Sequence, residues 1–131
     1  MMSDNTILPE RSFLKVTVPV TDFRLVYLQE PVYRMVFRIN IFNSGKMNIR
    51  LLARKWTILD KAGNMFIIEA ERVFRSYPLI APQGVFSYGG VRDFTQPPAQ
   101  MELRIVGIDQ MLTPFISTPC TFRKSQLEPK G

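Results

Sequence analysis

A strict alternation of apolar and other side chains from Tyr33 to Ile41 most constrains what this chain can fold into. The apolar side chains occupy every second position of the run: Tyr33, Met35, Phe37, Ile39 and Ile41. A β-strand places alternate side chains on opposite faces, whereas a helix would scatter these five around its axis. The run therefore predicts a strand with one continuous apolar face buried in a core.

A second apolar-patterned run, residues 49–59, follows after a short segment that contains Gly45. Glycine supplies the positive φ that many tight turns need, so the sequence predicts a hairpin from Val32 to Asp60 as the central element of the fold. The apolar positions of the second run change from odd to even numbers, which predicts a β-bulge near Arg54-Lys55. We expect Trp56, the only tryptophan, to lie in the core.

Short strand-like runs separated by turn residues continue along the rest of the chain. Ten prolines and ten phenylalanines among 131 residues favour strands over helices. Pro19 interrupts an alternating run and predicts either an edge strand or a strand that breaks there. We expect an all-β, immunoglobulin or fibronectin type III-like β-sandwich of about seven antiparallel strands over residues 13–124, with a mobile tail at residues 1–12 and a polar tail at residues 125–131.

The composition excludes several classes of function. The chain has no histidine, so neither a Ser-His or Cys-His nucleophile pair nor a histidine-ligated metal site can form. We therefore expect no enzymatic activity and no cofactor. The single cysteine, Cys120, cannot form an internal disulfide, and without a histidine to activate it we expect a buried apolar residue. No secretory signal or membrane-spanning run is present, so the expected location is the cytoplasm.

The formal net charge of +6 allows an acidic protein partner, nucleic acid or ordinary solubility as its explanation. The basic residues are spread evenly and no nucleic-acid-binding motif is present, so a nucleic-acid partner is not expected. One group of arginines would line a single face of the predicted hairpin: Arg34, Arg38, Arg50 and Arg54. This face is a candidate basic patch, and the alternative is the solvated side of a half-buried sheet.

The loops between residues 72 and 94 contain the other candidate site. Arg72 and Arg75 offer guanidinium groups to an anion or to an acidic partner. Tyr77, Phe86 and Phe94 add aromatic surface that a partner could cover. The alternative is a solvated loop beside aromatic side chains that cap one end of the sandwich.

The segment around Trp56 resembles the ApaG family. The residues that carry the resemblance are residues 51–58, Asp60 and Gly63, then residues 78–82, then Phe86 and Tyr88. The resemblance implies a fibronectin type III-like sandwich without an established enzymatic activity. Single-domain members have a proposed link to cobalt and magnesium homeostasis. Members fused in eukaryotic F-box and polymerase-interacting proteins look like protein-interaction modules.

The chain departs from the family pattern at a glycine-rich loop. The family carries G-x-G-x-x-G, which has been suggested to bind pyrophosphate, and this chain has Ala70, Arg72 and Arg75 at the three glycine positions. Glycine lets backbone N–H groups approach a phosphate closely, and side chains at these positions remove that approach. The chain therefore resembles a divergent member of the family, or a relative that shares only its scaffold.

These observations predict a non-catalytic binding module. Its partner would be another protein, or a second copy of the chain in a homodimer, bound through the 72–94 loops or through a sheet edge. The alternative is an anion or nucleotide-phosphate binding protein that uses Arg72 and Arg75, with a link to divalent-cation homeostasis. A membrane partner is not expected.

Overall fold

The computed structural model describes residues 7–70 and 77–131 and shows two β-sheets packed face to face. The elements are β1 (Glu10–Arg11), β2 (Leu14–Val26), β3 (Val32–Asn43), β4 (Ile49–Leu59), β5 (Met65–Ala70), β6 (Leu79–Ile80), β7 (Val85–Phe94), β8 (Gln100–Asp109), β9 (Pro114–Ser117), β10 (Cys120–Thr121) and a 3-10 helix (Lys124–Leu127). The predicted all-β sandwich is confirmed. The described residues form ten strands rather than about seven, because β1, β6 and β10 have only two residues each.

The larger sheet has the strand order β1-β9-β8-β4-β5, with β10 paired to β8 and β6 paired to β4, and the smaller sheet has the order β2-β3-β7. All pairs within the sheets are antiparallel except β1 with β9. Two edge strands, β5 and β7, face each other on one side of the sandwich. On the other side β2 contacts β10 and the C-terminal helix.

The core lies between the two sheets and is centred on Trp56. Its indole ring is buried and makes edge-to-face contacts with Phe37 (5.3 Å between centroids) and Phe122 (5.7 Å). The alternating run of β3 is buried as predicted, at Met35, Phe37, Ile39 and Ile41. The same period-2 pattern that predicts the strand therefore also identifies the face that packs against the other sheet.

The predicted hairpin from Val32 to Asp60 is wrong. β3 pairs with β2 and β7, whereas β4 pairs with β5, β6 and β8, so residues 44–48 cross from one sheet to the other. Buried Asn43 holds this corner: its Nδ2 donates to the carbonyl oxygens of Met47 (2.8 Å) and Ile80 (3.1 Å), and its Oδ1 accepts from the Gly45 amide (3.0 Å). A turn signal marks a reversal of the chain, but it does not distinguish a hairpin from a corner between two sheets.

Two bulges shape the strands. β2 is an edge strand whose register shifts between Thr17 and Val20, so the predicted break at Pro19 is confirmed. The register of β4 shifts between Leu51 and Ala53, earlier than the predicted position at Arg54-Lys55. The earlier bulge pairs Arg54 with Ile105, a core residue. Because paired residues share a face of the sheet, Arg54 points toward the inside of the sandwich.

Parts of both tails expected at residues 1–12 and 125–131 instead pair with or pack against the sandwich. Residues 1–6 lie outside the described residues. Near the N-terminus β1 pairs with β9. Near the C-terminus Gln126 and Leu127 are buried, and Gln126 Nε2 donates to the Val18 carbonyl at 3.0 Å. The amide of Lys130 also donates to the Phe23 carbonyl at 2.8 Å. The C-terminal segment therefore covers one side of the core.

Cys120 is half-buried on β10, and burial raises the pKa of its thiol. A thiol with a raised pKa is a poor nucleophile at neutral pH, in line with the apolar role expected for it. Within the described part of the chain, no helix has the length and apolar composition needed to cross a membrane.

Candidate functional site

The three predicted loop residues that the structure describes do not form one patch. Arg72 and Arg75 lie outside the described residues. Phe86 and Phe94 lie near opposite ends of β7, eight residues apart in an extended strand and so about 26 Å from each other. Phe86 and Phe94 both pack against the core, and Phe94 contacts Phe23 with 5.9 Å between ring centroids. Tyr77 is exposed and precedes β6.

The predicted basic face does not form, because the hairpin that would carry it does not exist. Arg34 and Arg38 lie on the smaller sheet, and Arg50 and Arg54 on the larger one. Arg34 is neutralised by a two-pronged ion pair, in which its Nε and Nη2 donate to the two carboxylate oxygens of Asp93 at 2.8 and 2.9 Å. Arg50 Nη1 donates to the Tyr77 carbonyl at 2.7 Å, and Arg38 is exposed.

Another candidate surface in the described part of the chain is the edge strand β5. Four consecutive apolar side chains of this strand are exposed, at 61% for Met65, 51% for Phe66, 55% for Ile67 and 37% for Ile68. In the part of the chain that the structure describes, β5 pairs only with β4. Phe66 and Ile68 are paired with core residues of β4 and point toward the inside, and Met65 and Ile67 point outward. Both faces of an unpaired edge are therefore apolar.

A cleft of about 570 Å³ lies between β5 and β7. It is lined by Ile58, Asp60, residues 65–68, residues 92–96 and Pro98. Most of this lining is apolar, and it includes the inward-pointing side chains of β5. Apolar side chains that point toward the core are thus exposed to solvent in this cleft, between the edges of the two sheets.

Arg92 is the cation of this cleft. Its guanidinium carbon lies 5.3 Å from the centroid of the Trp56 ring, in a cation–π arrangement. The side chain is half-buried, and among the described residues its Nε finds no hydrogen-bond partner. Burial lowers the pKa of Arg92, and the nearby charge of Arg54 lowers it further. An arginine nevertheless stays charged at neutral pH, so the cleft holds a partly desolvated positive charge.

The two carboxylates that line the cleft are already occupied by other partners. Asp60 Oδ1 accepts hydrogen bonds from the amides of Ala62 (3.0 Å) and Asn64 (2.8 Å), and the bonds from Asn64 hold the pKa of Asp60 below its usual value. Asp93 accepts the ion pair with Arg34, which lowers the pKa of Asp93. Neither carboxylate forms an ion pair with Arg92 in the described part of the structure.

Tyr88 shows that two arginines face the same interior space. It lies on β7 opposite the core residue Ile39, so its side chain points between the sheets. Burial raises the pKa of its hydroxyl, and the charges of Arg54 and Arg92 act in the opposite direction. The electrostatic coupling of all three groups indicates a positive potential behind the cleft.

Sequence reasoning missed both the edge strand and Arg92. The run of four apolar residues at the start of β5 is visible in the sequence, but the same run is typical of a strand buried on both faces. Arg92 has no local signal, because what makes it unusual is the Trp56 ring beneath it, on a strand of the other sheet.

A second, larger pocket of about 710 Å³ includes Lys55, Glu69, Arg104 and Glu10 in its lining. Four of its five charged side chains form ion pairs: Arg104 Nη1 lies 2.7 Å from Glu10 Oε1, and Lys55 Nζ lies 4.0 Å from Glu69 Oε1. The fifth, Arg54, has no ion pair among the described residues. The β5–β7 cleft is the better candidate site, because it combines a cation that lacks an ion pair in the described part of the chain with the exposed apolar side chains of β5.

Comparison with known proteins places this sandwich in a family. The family model described as "ApaG domain" matches residues 28–104, which is more than half of the chain, and the chain belongs to this family. Among its relatives, a protein named "Protein ApaG" from Yersinia pestis (strain Pestoides F) is 27% identical over 95 residues, covering 72% of this chain and 76% of the relative. "Protein ApaG" from Edwardsiella ictaluri (strain 93-146) is 30% identical over 74 residues, covering 56% and 59%.

Solved structures show the same fold. An X-ray structure of a structural genomics target superimposes with a TM-score of 0.71 at 20% identity, covering 84% of this chain and 86% of the other. The crystal structure of a protein described as putative ApaA from Bordetella pertussis superimposes with a TM-score of 0.66 at 22% identity, covering 85% and 93%. At these identities the likeness establishes the architecture, and function has to be argued from this chain's own surface.

Proposed function

We propose that this chain is a non-catalytic protein-interaction module that binds an extended segment of a partner protein along the free edge of β5. The observation that carries the proposal is the exposure of four consecutive apolar side chains, Met65 to Ile68, on an edge strand. Soluble proteins usually protect such edges with charges, prolines or a covering element. An apolar, unpaired edge instead suits a partner that adds a strand.

Strand addition accounts for two properties of β5: an edge with no partner strand among the described residues, and exposed apolar side chains on both faces. The N–H and C=O groups on the outer side of the strand would pair with the backbone of the added segment. The side chains of that segment would then cover Met65 and Ile67 on one face and Phe66 and Ile68 on the other. Removing exposed apolar surface from water would stabilise the complex.

The absence of histidine supports the non-catalytic part of the proposal, and the single cysteine supports a reducing compartment. The absence of histidine removes the commonest general base, and no histidine-based nucleophile can form. The single cysteine fits a reducing compartment such as the cytoplasm. The alternative of anion binding through Arg72 and Arg75 depends on residues outside the described part of the chain, and no contact in the structure favours it.

A displayed library of random seven-residue peptides tests this proposal directly. Peptides selected on the wild-type protein should bind with affinities that Ile67→Lys weakens by roughly tenfold or more, because a lysine on an edge strand opposes strand addition. Val91→Lys is the matched control: Val91 is exposed to a similar extent on β7, and the charge change is identical. Its affinities should stay within about twofold of wild type.

Amide NMR shifts on peptide addition locate the bound segment. The largest shifts should fall on residues 65–70. Selected peptides that bind Ile67→Lys as well as wild type, or that shift another edge, would overturn the proposal. A concentration-dependent dimer with protected β5 amides would also overturn it, since the edge would then belong to a second copy of the chain.

A further inference from the structure

We propose that the β5–β7 cleft is a recognition pocket for an aspartate or glutamate side chain on the added segment, with Arg92 as its ion-pair partner. This inference rests on the proposed function and adds the chemistry of the partner. The bound segment would be extended and would present one acidic residue with apolar residues two positions away on either side.

The register of the larger sheet places such a side chain over the cleft. Trp56 on β4 is paired with Ile68 on β5, and both side chains point inward. A strand added to the free edge of β5 continues this row, so its residue opposite Ile68 points inward as well. Arg92 lies over the Trp56 ring at the inner end of the same row. The added residue would therefore face the guanidinium group.

Charge determines which side chain fits there. Among the described residues Arg92 has no ion-pair partner, its Nε has no acceptor, and its charged neighbour is another arginine, Arg54. The carboxylates at the rim, Asp60 and Asp93, are held by the Asn64 turn and by Arg34. A carboxylate from the partner would supply the missing acceptor in the two-pronged geometry that a guanidinium favours.

The opposite side of the sandwich shows that one segment, there a short strand followed by a 3-10 helix, can fill this kind of gap. There the chain's own C-terminal segment pairs with β8 through β10, and then places Gln126 against the carbonyl of Val18 on the other sheet. A backbone that pairs with one sheet and a polar side chain that bonds inside the sandwich are thus combined in one segment. The proposed ligand repeats this arrangement between β5 and β7.

A second copy of the chain would not provide the required group. If two β5 strands paired edge to edge, the inward-pointing side chains of each, among those that the structure describes, would be Phe66 and Ile68, neither of which is acidic. Glu69 points to the outer face, where it lies beside Lys55. Pairing would also bring together two chains that each carry a net charge of +6. The occupant we infer is therefore a different protein with an acidic segment.

The same peptide selection tests this inference. Selected peptides should be enriched in Asp or Glu at one position, with apolar residues two positions before and after it. Changing that acidic residue to its amide should weaken binding to wild type by roughly tenfold, because it removes the charge-assisted pair. On Arg92→Gln the acidic peptide should bind equally weakly, and its amide form should lose nothing more. This non-additivity would show that the two groups contact each other.

Two further variants make the result specific. Arg38→Gln removes an exposed arginine from the smaller sheet and should leave affinities within about twofold. Arg92→Lys keeps the charge but loses the two-pronged geometry of the guanidinium group, so an intermediate affinity is expected. The melting temperature of Arg92→Gln should not fall by more than a few degrees, because Arg92 makes no ion pair in the described structure.

The outcomes separate this inference from the proposed function. If binding depends on Ile67 but selected peptides show no acidic preference, or Arg92→Gln binds them normally, the acidic pocket is overturned and strand addition stands. If the peptides bind away from β5, both are overturned. If acidic peptides need Arg92 but bind Ile67→Lys normally, the cleft binds a carboxylate without strand addition, and the inference as stated is also overturned.

Discussion

Phe122 and Phe66 both lie beside the gap between the two sheets, yet 4% of Phe122 is exposed and 51% of Phe66. Phe122 belongs to the side of the sandwich where β2 meets β10 and the C-terminal helix. Phe66 belongs to the side where β5 faces β7 across the cleft. We refer to these as the closed side and the open side. On the closed side, the chain's own C-terminal segment covers the core. On the open side, apolar side chains of β5 are in contact with solvent.

The difference shows where this protein uses its apolar residues for stability and where it keeps them available. On the closed side, burial of Phe122 and Leu127 offsets the entropy cost of ordering the last part of the chain. On the open side the apolar residues of β5 contribute little to folding. In the proposed complex, a strand of the partner would bury them.

The largest expected contrast is between alanine substitutions of the two phenylalanines. Phe122→Ala should reduce the free energy of unfolding by about 3–5 kcal/mol, because it leaves a cavity beside Trp56. Phe66→Ala should reduce it by less than about 1 kcal/mol, since half of the ring is already in water. Urea denaturation of both variants measures the difference. Equal losses would show that the open side is packed as tightly as the closed side.

A smaller contrast is expected between two glutamines. Gln126→Ala removes the donor to the Val18 carbonyl and the acceptor for the Arg123 amide, and should cost about 1–3 kcal/mol. Gln96→Ala changes an exposed residue at the rim of the cleft and should stay within about 0.5 kcal/mol of wild type. Thermal denaturation provides the comparison. A neutral Gln126→Ala would mean that the C-terminal segment covers the core without holding the sheets together.

The smallest expected effect is a loss of stability in acid that originates on the open side. The pKa of Asp93 is lowered from its usual value of 3.8 by hydrogen bonding to Arg34. A lowered pKa in the folded state gives a stabilisation that is complete above about pH 4 and is lost as the pH falls through the lowered value. Asp93→Asn should therefore flatten the dependence of the unfolding free energy on pH below about 4. An unchanged acid slope would argue against a role for this pair in stability.

Several parts of the fold could be predicted because their cause is local. The alternation along β3 identifies the buried face, the bulk of Trp56 places it in the core, and Pro19 breaks an edge strand because it has no N–H to donate. The turn after Asn43 could be located for the same reason. Which strands it joins could not be predicted, because pairing is decided by segments far away in the sequence.

The candidate site was much less predictable, as the sequence interpretation of the arginines shows. Arg54 was expected on an outer face, but a bulge two residues earlier turns it inward. Arg92 was not expected to matter, and Arg72 and Arg75 lie outside the described residues. The side of a strand on which a charge emerges depends on register, and one residue of slip exchanges the two faces.

The sequence by itself determined that this chain is an all-β sandwich with a tryptophan in its core and no histidine for catalysis. These conclusions follow from residue types and from a period-2 pattern, both of which are properties of the local sequence. Only the tertiary structure decided that Val32–Asn43 and Ile49–Leu59 lie in different sheets, that β5 has β4 as its one neighbour among the described strands, and that Arg92 lies over Trp56. Each of these depends on contacts between residues distant in sequence, and such contacts leave no local pattern to read.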